Sequence, residues 1–411
     1  MSMLTFKEAT LPNGLRVIAE INPEAKSVAL GYFVRTGSRD ELAGEEGISH
    51  FLEHMVFKGT ERRSAWDVNR EFDEMGAKYN AFTNEELTVF YGAVLPEFAP
   101  RLLGLFSDLM NPAFAEDEFE TERKIILEEI ALYRDRPQFV LSEKAQAAYF
   151  EKHPLAKPVL GTAESIANMT REQLIDYHSR RYVPENMTLA FAGNLYWEEM
   201  LALAEQMTRR WRNGQAPRNH PSFTPRPRKI YEPYDKASQS YGVFMAPGYS
   251  ASAVERYAAR VLSEILGDPD NGRLFWVLVD SGLAEMVTAY HHEFEELGVY
   301  TVYVQGDPAN NAEVSGRIVE ELERLEQDGV EEEELERAKL KIATSLVFAG
   351  ETSLSRLFYL GLNYSYSGRY EALDTVQRWV MHLETFHVNE LLENKPFSHA
   401  LEYWLVPAEN A

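Results

Sequence analysis

The chain has 411 residues and a formal charge of −24, from 41 basic and 65 acidic residues, with 45% hydrophobic residues and no cysteine. This length exceeds one ordinary hydrophobic core and predicts two to three domains, while the negative charge disfavours binding to nucleic acids and anionic membranes. Because there is no cysteine, disulfides and thiolate metal sites are excluded, so any metal ion must be bound by histidines and carboxylates.

The N-terminal segment reads MSMLTFKEATLPNGLRV and lacks both the basic region and the apolar region of a secretory signal. No apolar run approaches the roughly 20 residues that a membrane-spanning helix needs. We therefore expect a cytoplasmic protein with no membrane partner.

Three patterns of residues occur in the same order in both halves of the chain, roughly 210 residues apart. They are a buried strand that leads through a polar turn into a helix, a second strand with an amphipathic helix, and a charged helix. The first half has them at 27–58, 86–110 and 114–133, and the second half has them at 239–266, 298–325 and 329–348.

A polar segment with four prolines, residues 212–229, lies between the two halves and is typical of an exposed linker. The repeat therefore predicts two homologous α+β domains, at 1–211 and 230–411. Each is expected to have a largely antiparallel sheet flanked by helices.

The segment GISHFLEHMVFKGT at residues 47–60 contains the first candidate site. His50 and His54 are four residues apart and share one face of a helix, and Glu53 directly precedes the second histidine. Two imidazoles in this spacing with a neighbouring carboxylate can bind zinc and activate one water molecule, as in the inverted form of the zincin motif. The alternative is a pair of ordinary surface histidines, because ten histidines in one chain produce such spacings by chance.

A catalytic zinc ion needs a third protein ligand, and the segment 120–133 offers Glu122, Glu128 and Glu129. Glu122 and Glu129 are two helical turns apart, on a face flanked by Ile126 and Ile130, so they are expected to be buried and to need a cation. Glu128 is expected to face water. Spacing alone favours Glu129 as the ligand and leaves Glu128 as the alternative.

The second half has no equivalent ligands. Its matching stretch, ERAKLKIATSL, has an alanine where Glu129 stands, and the helix at 254–266 has no histidine pair. Only the first domain is therefore predicted to bind metal.

The short extended segment AKYNAFT, residues 77–83, follows a glycine. It can be an edge strand, whose unpaired backbone groups could bind a peptide as a further strand, or an ordinary buried strand. The residues alone do not decide between the two.

Three segments together, GISHFLEHMVFKGT, GAKYNAFTNEELTVFY and ETERKIILEEI, resemble the pitrilysin and insulin-degrading-enzyme family of inverted-motif zinc peptidases. The nearest type is the short chain similar to the mitochondrial processing peptidase β-subunit, and VPENMTLAFAGN at 183–194 also fits the family pattern. The resemblance covers nearly the whole chain. It implies the duplicated layout, a half-clamshell of two homologous domains.

The resemblance implies a zinc metalloendopeptidase with one Zn²⁺ per chain, bound by His50, His54 and Glu129. Glu53 is then the general base, and Glu122 has a supporting acidic role. The strand after Gly76 is implied to pair with the backbone of a peptide or unfolded polypeptide substrate, through Lys78, Tyr79, Asn80, Ala81, Phe82 and Thr83.

Members of the family usually carry an Arg and a Tyr seven residues apart in the second half, in a stretch ending Gly-Leu-Ala-Tyr. The matching stretch here, GRLFWVLVDSGLAEMV at 272–287, has Glu285 at the Tyr position and Leu278 or Val279 at the Arg position. None of these side chains can donate a hydrogen bond to a developing oxyanion. We therefore expect a heterodimer in which a homologous chain supplies the Arg and Tyr, with a homodimer, or a subgroup that manages without the pair, as alternatives.

Two other functions remain open at this level. The fold also occurs in non-proteolytic structural subunits, and the chain could be a metal- or peptide-binding protein without turnover. The presence of His50, Glu53, His54 and Glu129 together favours the peptidase.

Overall fold

The computed structural model describes residues 4–408 and contains two compact units, each built from helices and one sheet. The helices are, in chain order, α1 Ile48–Val56, α2 Ala65–Glu74, α3 Ala99–Leu109, α4 Glu116–Tyr133, α5 Pro137–Phe150, α6 Ala163–Asn168, α7 Arg171–Arg181, α8 Trp197–Thr208, α9 Arg256–Gly267, α10 Asn311–Asp328, α11 Glu332–Ala349, α12 Ser353–Ser367, α13 Leu373–Met381 and α14 Thr385–Leu392. Within residues 4–408, every helix is too short or too polar to cross a bilayer.

The strands form two sheets. They are β1 Thr5–Thr10, β2 Arg16–Ile21, β3 Val28–Val34, β4 Lys78–Thr83, β5 Thr88–Val94, β6 Met187–Gly193, β7 Arg228–Pro233, β8 Ser240–Gly248, β9 Met286–Glu293, β10 Gly298–Gly306 and β11 Leu401–Val406. The first sheet has the order β1-β2-β6-β3-β5-β4, and the second has the order β7-β11-β8-β10-β9.

The two sheets share one topology. In the first, β2 and β6 are parallel and the pairs from β6 to β4 are antiparallel. In the second, β7 and β11 are parallel and the pairs from β11 to β9 are antiparallel. The prediction of an α+β fold with two homologous domains and largely antiparallel sheets is thus confirmed, and β1 is an extra strand of the first sheet.

Each sheet is covered by a helix from the other half of the sequence. In the first unit, Phe33 of β3 packs against α12, where Gly361 allows the close approach: a Cβ at that position would lie 2.1 Å from the Phe33 ring. In the second unit, α5 contributes Leu141 and Tyr149 to the core of the second sheet. Burying one apolar face of a sheet under a helix is what stabilises such a layer.

The compact units therefore interleave along the chain. The first comprises the residues up to Ile130, together with Lys157–Asn219 and Ala349–Tyr370, and the second comprises Ala131–Ala156, His220–Phe348 and the chain from Glu371 onward. The boundaries at 1–211, 212–229 and 230–411 divide sequence repeats rather than compact units, and as domain boundaries they stay a prediction.

The segment between the repeats is exposed for most of its length, but one end of it is held in the first unit. Arg218 is buried and its guanidinium contacts Asp40 at 2.7 Å. Arg181 donates to the carbonyl of Pro217 at 3.0 Å. The last two residues of the proposed linker, at 228 and 229, belong to β7 because they pair with β11.

Candidate active site

Helix α1 is fixed at its N-terminus by a buried carboxylate. Glu41 accepts hydrogen bonds from the backbone N–H groups of Gly47, at 2.9 Å, and Ser49, at 3.0 Å, which satisfies two donors at the end of the helix. Gly47 has φ +90°, and a Cβ there would lie 2.6 Å from the carbonyl oxygen of Leu160, so the position requires glycine. The apolar face of α1 is fully buried and consists of Ile48, Phe51, Leu52, Met55 and Val56.

The other face of α1 presents the two histidines to α4. The rings of His50 and His54 lie 4.6 Å apart. Oε2 of Glu129 lies 3.8 Å from Nε2 of His50 and 3.7 Å from Nε2 of His54. The three ligand atoms all lie within 4.8 Å of one another, so these residues form a group that can hold a metal ion.

The donor set fits zinc. Zinc bonds of about 2.0–2.2 Å to nitrogen and oxygen place neighbouring atoms of a tetrahedron about 3.3–3.6 Å apart, close to the observed spacing from Glu129. Burial lowers the pKa of His50 to about 3, so its imidazole is neutral and keeps a lone pair for a metal. Three protein ligands leave one position of a tetrahedral ion free for water or substrate.

Glu122 contacts His54 at Nδ1, the ring nitrogen that does not contact Glu129. Its Oε2 lies 3.0 Å from Nδ1 of His54 and its Oε1 lies 2.6 Å from Nζ of Lys58. Burial acts to raise the pKa of Glu122, but the contacts with His54 and Lys58 outweigh it and hold the pKa below its ordinary value. The ionised carboxylate accepts the proton of Nδ1, which leaves Nε2 of His54 free on the side of Glu129.

Glu53 lies beside the ligand group on the same helix. Burial raises the pKa of Glu53, and a hydrogen bond from the hydroxyl of Thr83 to its Oε2, at 2.6 Å, acts in the opposite direction. A carboxylate with a raised pKa next to a metal site is suited to accept a proton near neutral pH.

Thr83 is the last residue of β4, and β4 is the edge of the first sheet. Within residues 4–408, its one partner is β5, so of the two alternatives that the residues left open the structure has the edge strand. Three of its residues are exposed, one is buried and two are half-buried: Lys78, Tyr79 and Asn80, then Ala81, then Phe82 and Thr83. Their contact with substrate stays a prediction.

The structure brings the predicted site residues together and separates the alternative. Glu128 is exposed, while Glu129 lies beside the histidines. Lys58 was not predicted to take part, although it lies inside the quoted motif four residues after His54. Thr83 was predicted only as part of the substrate strand, and its contact with Glu53 was not predicted.

The equivalent helices of the second half have no ligand residues. Both α4 and α11 have 18 residues, and aligned from their first residues Glu122 matches Ala338 and Glu129 matches Ser345. When the two helices are aligned from their first residues, the residue opposite Glu129 is a serine, where the sequence repeat predicted an alanine. Neither Ala338 nor Ser345 is a usual zinc ligand.

The stretch that lacks the Arg and Tyr is now placed in the second unit. Leu278 is buried in its core, and Glu285 is exposed, where it accepts a hydrogen bond from Gln239. Both positions therefore lack a donor of the kind the family usually provides.

Comparisons with family models and with known sequences agree with each other. Residues 16–163 match the family model described as insulinase (peptidase family M16), and residues 168–342 match the model of the peptidase M16 inactive domain. An uncharacterized zinc protease of Mycobacterium tuberculosis is 35% identical over 395 residues, which covers 94% of this chain and 90% of that protein. The uncharacterized zinc protease YmxG of Bacillus subtilis is 33% identical over 377 residues, covering 90% and 91%.

The fold has close structural matches as well. The crystal structure of a protease from Helicobacter pylori superposes with a TM-score of 0.91 at 22% identity, over 98% of this chain and all of that one. At this identity the match bears on the fold alone.

Proposed function

Because the chain belongs to peptidase family M16, the insulinase family, we propose that it is a zinc metalloendopeptidase subunit. In this proposal His50, His54 and Glu129 bind one Zn²⁺ and Glu53 is the general base. The observation that carries it is that the ligand atoms of His50 and His54 on α1 and of Glu129 on α4 lie within 4.8 Å of one another, with Glu53 on the helix that carries the two histidines.

The residues of the chain have separate tasks in hydrolysis. A zinc ion held by the three ligands would polarise the scissile carbonyl and lower the pKa of a water molecule towards about 7. Glu53, held by the hydrogen bond from Thr83 to its Oε2, accepts the water proton and later passes it to the leaving amine. Glu122 keeps His54 in the tautomer that offers Nε2.

The substrate we propose is a peptide or an unfolded polypeptide, bound in extended form along β4. An edge strand offers unpaired N–H and C=O groups, and a peptide added to it gains main-chain hydrogen bonds without a demand on sequence. Since Thr83 ends β4 and contacts Glu53, a peptide paired with this strand would run close to the base.

The subunit needs a partner in this proposal. Stabilising the oxyanion of peptide hydrolysis requires hydrogen-bond donors besides the metal, and the positions of the family's Arg and Tyr here hold apolar residues and a carboxylate. We place these donors on a second, homologous chain without the His-x-x-Glu-His motif, in a heterodimer.

A fluorogenic peptide assay tests the function and the partner together. The chain is purified alone and together with a homologous chain from the same genome that carries the Arg and Tyr, and each sample is assayed before and after chelation and after zinc is restored. We expect turnover from the pair only, lost with the chelator and recovered with zinc.

The other outcomes separate the alternatives. Full turnover by the isolated chain, as monomer or homodimer, would contradict the heterodimer and support the peptidase. A zinc-loaded pair that binds peptides and never cleaves them would instead establish a non-proteolytic, peptide-binding subunit.

A further inference from the structure

The carboxylate of Glu122, which contacts Nδ1 of His54, has two partners, one on each oxygen. Glu122 is 1% exposed at its side chain, and its Oε2 contacts Nδ1 of His54 at 3.0 Å while its Oε1 contacts Nζ of Lys58 at 2.6 Å. A buried carboxylate is stable only when it is paired and hydrogen-bonded. Lys58 is the cation in this pair, because the neutral imidazole that a metal requires carries no charge.

Lys58 is well placed for the task. It follows the end of α1, and its backbone N–H donates to the carbonyl of Met55 at 3.1 Å, so the chain keeps turning beyond the helix. Its side chain is 29% exposed, while the carboxylate it contacts is buried. The ammonium group thus forms an ion pair with Oε1 of Glu122, while Oε2 contacts His54.

The other histidine has no such support. Nδ1 of His50 is buried and has no hydrogen-bond partner among residues 4–408. Among residues 4–408, a side chain therefore holds the Nδ1 atom of only one of the two histidine ligands. That contact is the one between Glu122 and His54.

We propose that Lys58 is a positioning residue for the metal site: it holds Glu122 in the orientation in which Oε2 accepts the Nδ1 proton of His54. This inference rests on the proposed zinc site and deepens it. Without the ammonium group the carboxylate is free to turn about its Cγ–Cδ bond, and the ring of His54 loses its fixed orientation. Outer contacts of this kind typically change metal affinity about 10–100-fold.

The test measures zinc affinity rather than turnover. The dissociation constant of Zn²⁺ is determined by competition with a chelator of known affinity, for the wild-type chain, Lys58→Met, Lys58→Arg, Glu122→Gln and the Lys58→Met/Glu122→Gln double variant. We expect Lys58→Met to weaken zinc binding about 10-fold or more, and Lys58→Arg to stay within about threefold of wild type. In the double variant the loss should equal that of Glu122→Gln alone, because Lys58 acts through Glu122.

Lys124→Met is the matched control, since Lys124 is an exposed lysine on α4, the helix that carries Glu122. It should bind zinc as the wild type does. Thermal unfolding of the zinc-free variants shows whether any chain has lost its fold, and if Lys58→Met unfolds, Lys58→Gln replaces it in the comparison with the same expected loss of zinc affinity.

Two results would overturn the inference. One is a Lys58→Met variant with wild-type zinc affinity, and the other is a double variant whose losses add. If the wild-type chain bound no zinc, the proposed function and this inference would both fail, whereas normal binding by wild type and Lys58→Met alike would remove the inference only.

Discussion

The helices α1 and α9 follow equivalent strands in two sheets of one topology, yet of these two helices α1 alone carries candidate metal ligands. Each follows the central strand of its sheet, β3 or β8. Aligned from their first residues, His50, Glu53 and His54 of α1 match Ala258, Val261 and Leu262 of α9. These three residues of α9 are buried, at no more than 4% exposure.

The difference shows that the fold does not need polar residues at these three positions. In α9 the three positions contribute apolar surface to a core, where a fully buried Val or Leu side chain stabilises the folded state by about 1.5–3 kcal/mol. In α1 the same positions hold polar groups whose burial costs free energy unless each has a partner. The first half keeps those groups because partners are present: Glu122 for His54, Thr83 for Glu53 and, in the proposal, a zinc ion.

The largest expected effect is on turnover, from a change confined to α1. Glu53→Gln removes the proton acceptor and keeps the three ligands, so we expect kcat to fall about 10²–10⁴-fold with zinc content unchanged. Steady-state kinetics of the active assembly and metal analysis measure both. Glu128→Gln, on the exposed side of α4, is the control and should have wild-type kcat; equal rates for Glu53→Gln and wild type would exclude Glu53 as the base.

The next effect is on metal binding. Glu129→Gln exchanges a carboxylate ligand for an amide. Mutating a residue that only contacts a ligand lowers metal affinity about 10–100-fold, and we expect the loss in zinc affinity for Glu129→Gln to be larger than that. Because zinc stabilises the folded chain by an amount that grows with the logarithm of the ratio of free zinc to the dissociation constant, the zinc-induced rise in Tm should also disappear. Glu128→Gln should keep both properties, and zinc loss in that variant alone would reverse the assignment.

A change in α9 should act on stability alone. Leu262→Ala creates a cavity at the position that matches His54, so the free energy of unfolding should fall by about 2–5 kcal/mol. Urea unfolding of the zinc-free chain measures the loss. The zinc dissociation constant of the folded variant should remain within about twofold of wild type; a large change in it would mean that the second half contributes to the metal site.

The smallest expected effect tests how the base is held. Thr83→Val removes the hydroxyl that contacts Glu53 and keeps the shape of the side chain, so kcat should fall about 10-fold, near the cost of one hydrogen bond to a charged group. Thr83→Ser keeps the hydroxyl and should recover most of the rate. Similar kcat values for Thr83→Val and wild type would show that the contact does not position Glu53 in the reacting complex.

Much of the fold was readable from local patterns. The repeat predicted two equivalent units, and the helices and strands formed within a few residues of the predicted segments, because periodicity and turn residues are local signals. It was not predicted that α12, from the second half of the sequence, covers the first sheet, or that α5, from the first half, covers the second sheet. This arrangement depends on which distant helix covers which sheet, and no local pattern specifies that pairing.

The candidate site was likewise predictable from the sequence only in part. The sequence by itself determined the residue types of a candidate metal site and the spacing of His50, Glu53 and His54, since all three lie on one helix whose geometry fixes their relative positions. Only the tertiary structure decided that Glu129 rather than Glu128 lies beside them, and that β4 is an edge strand. The contacts of Lys58 with Glu122 and of Thr83 with Glu53 span 64 and 30 residues of sequence, and such contacts arise from packing between elements, which helical spacing does not encode.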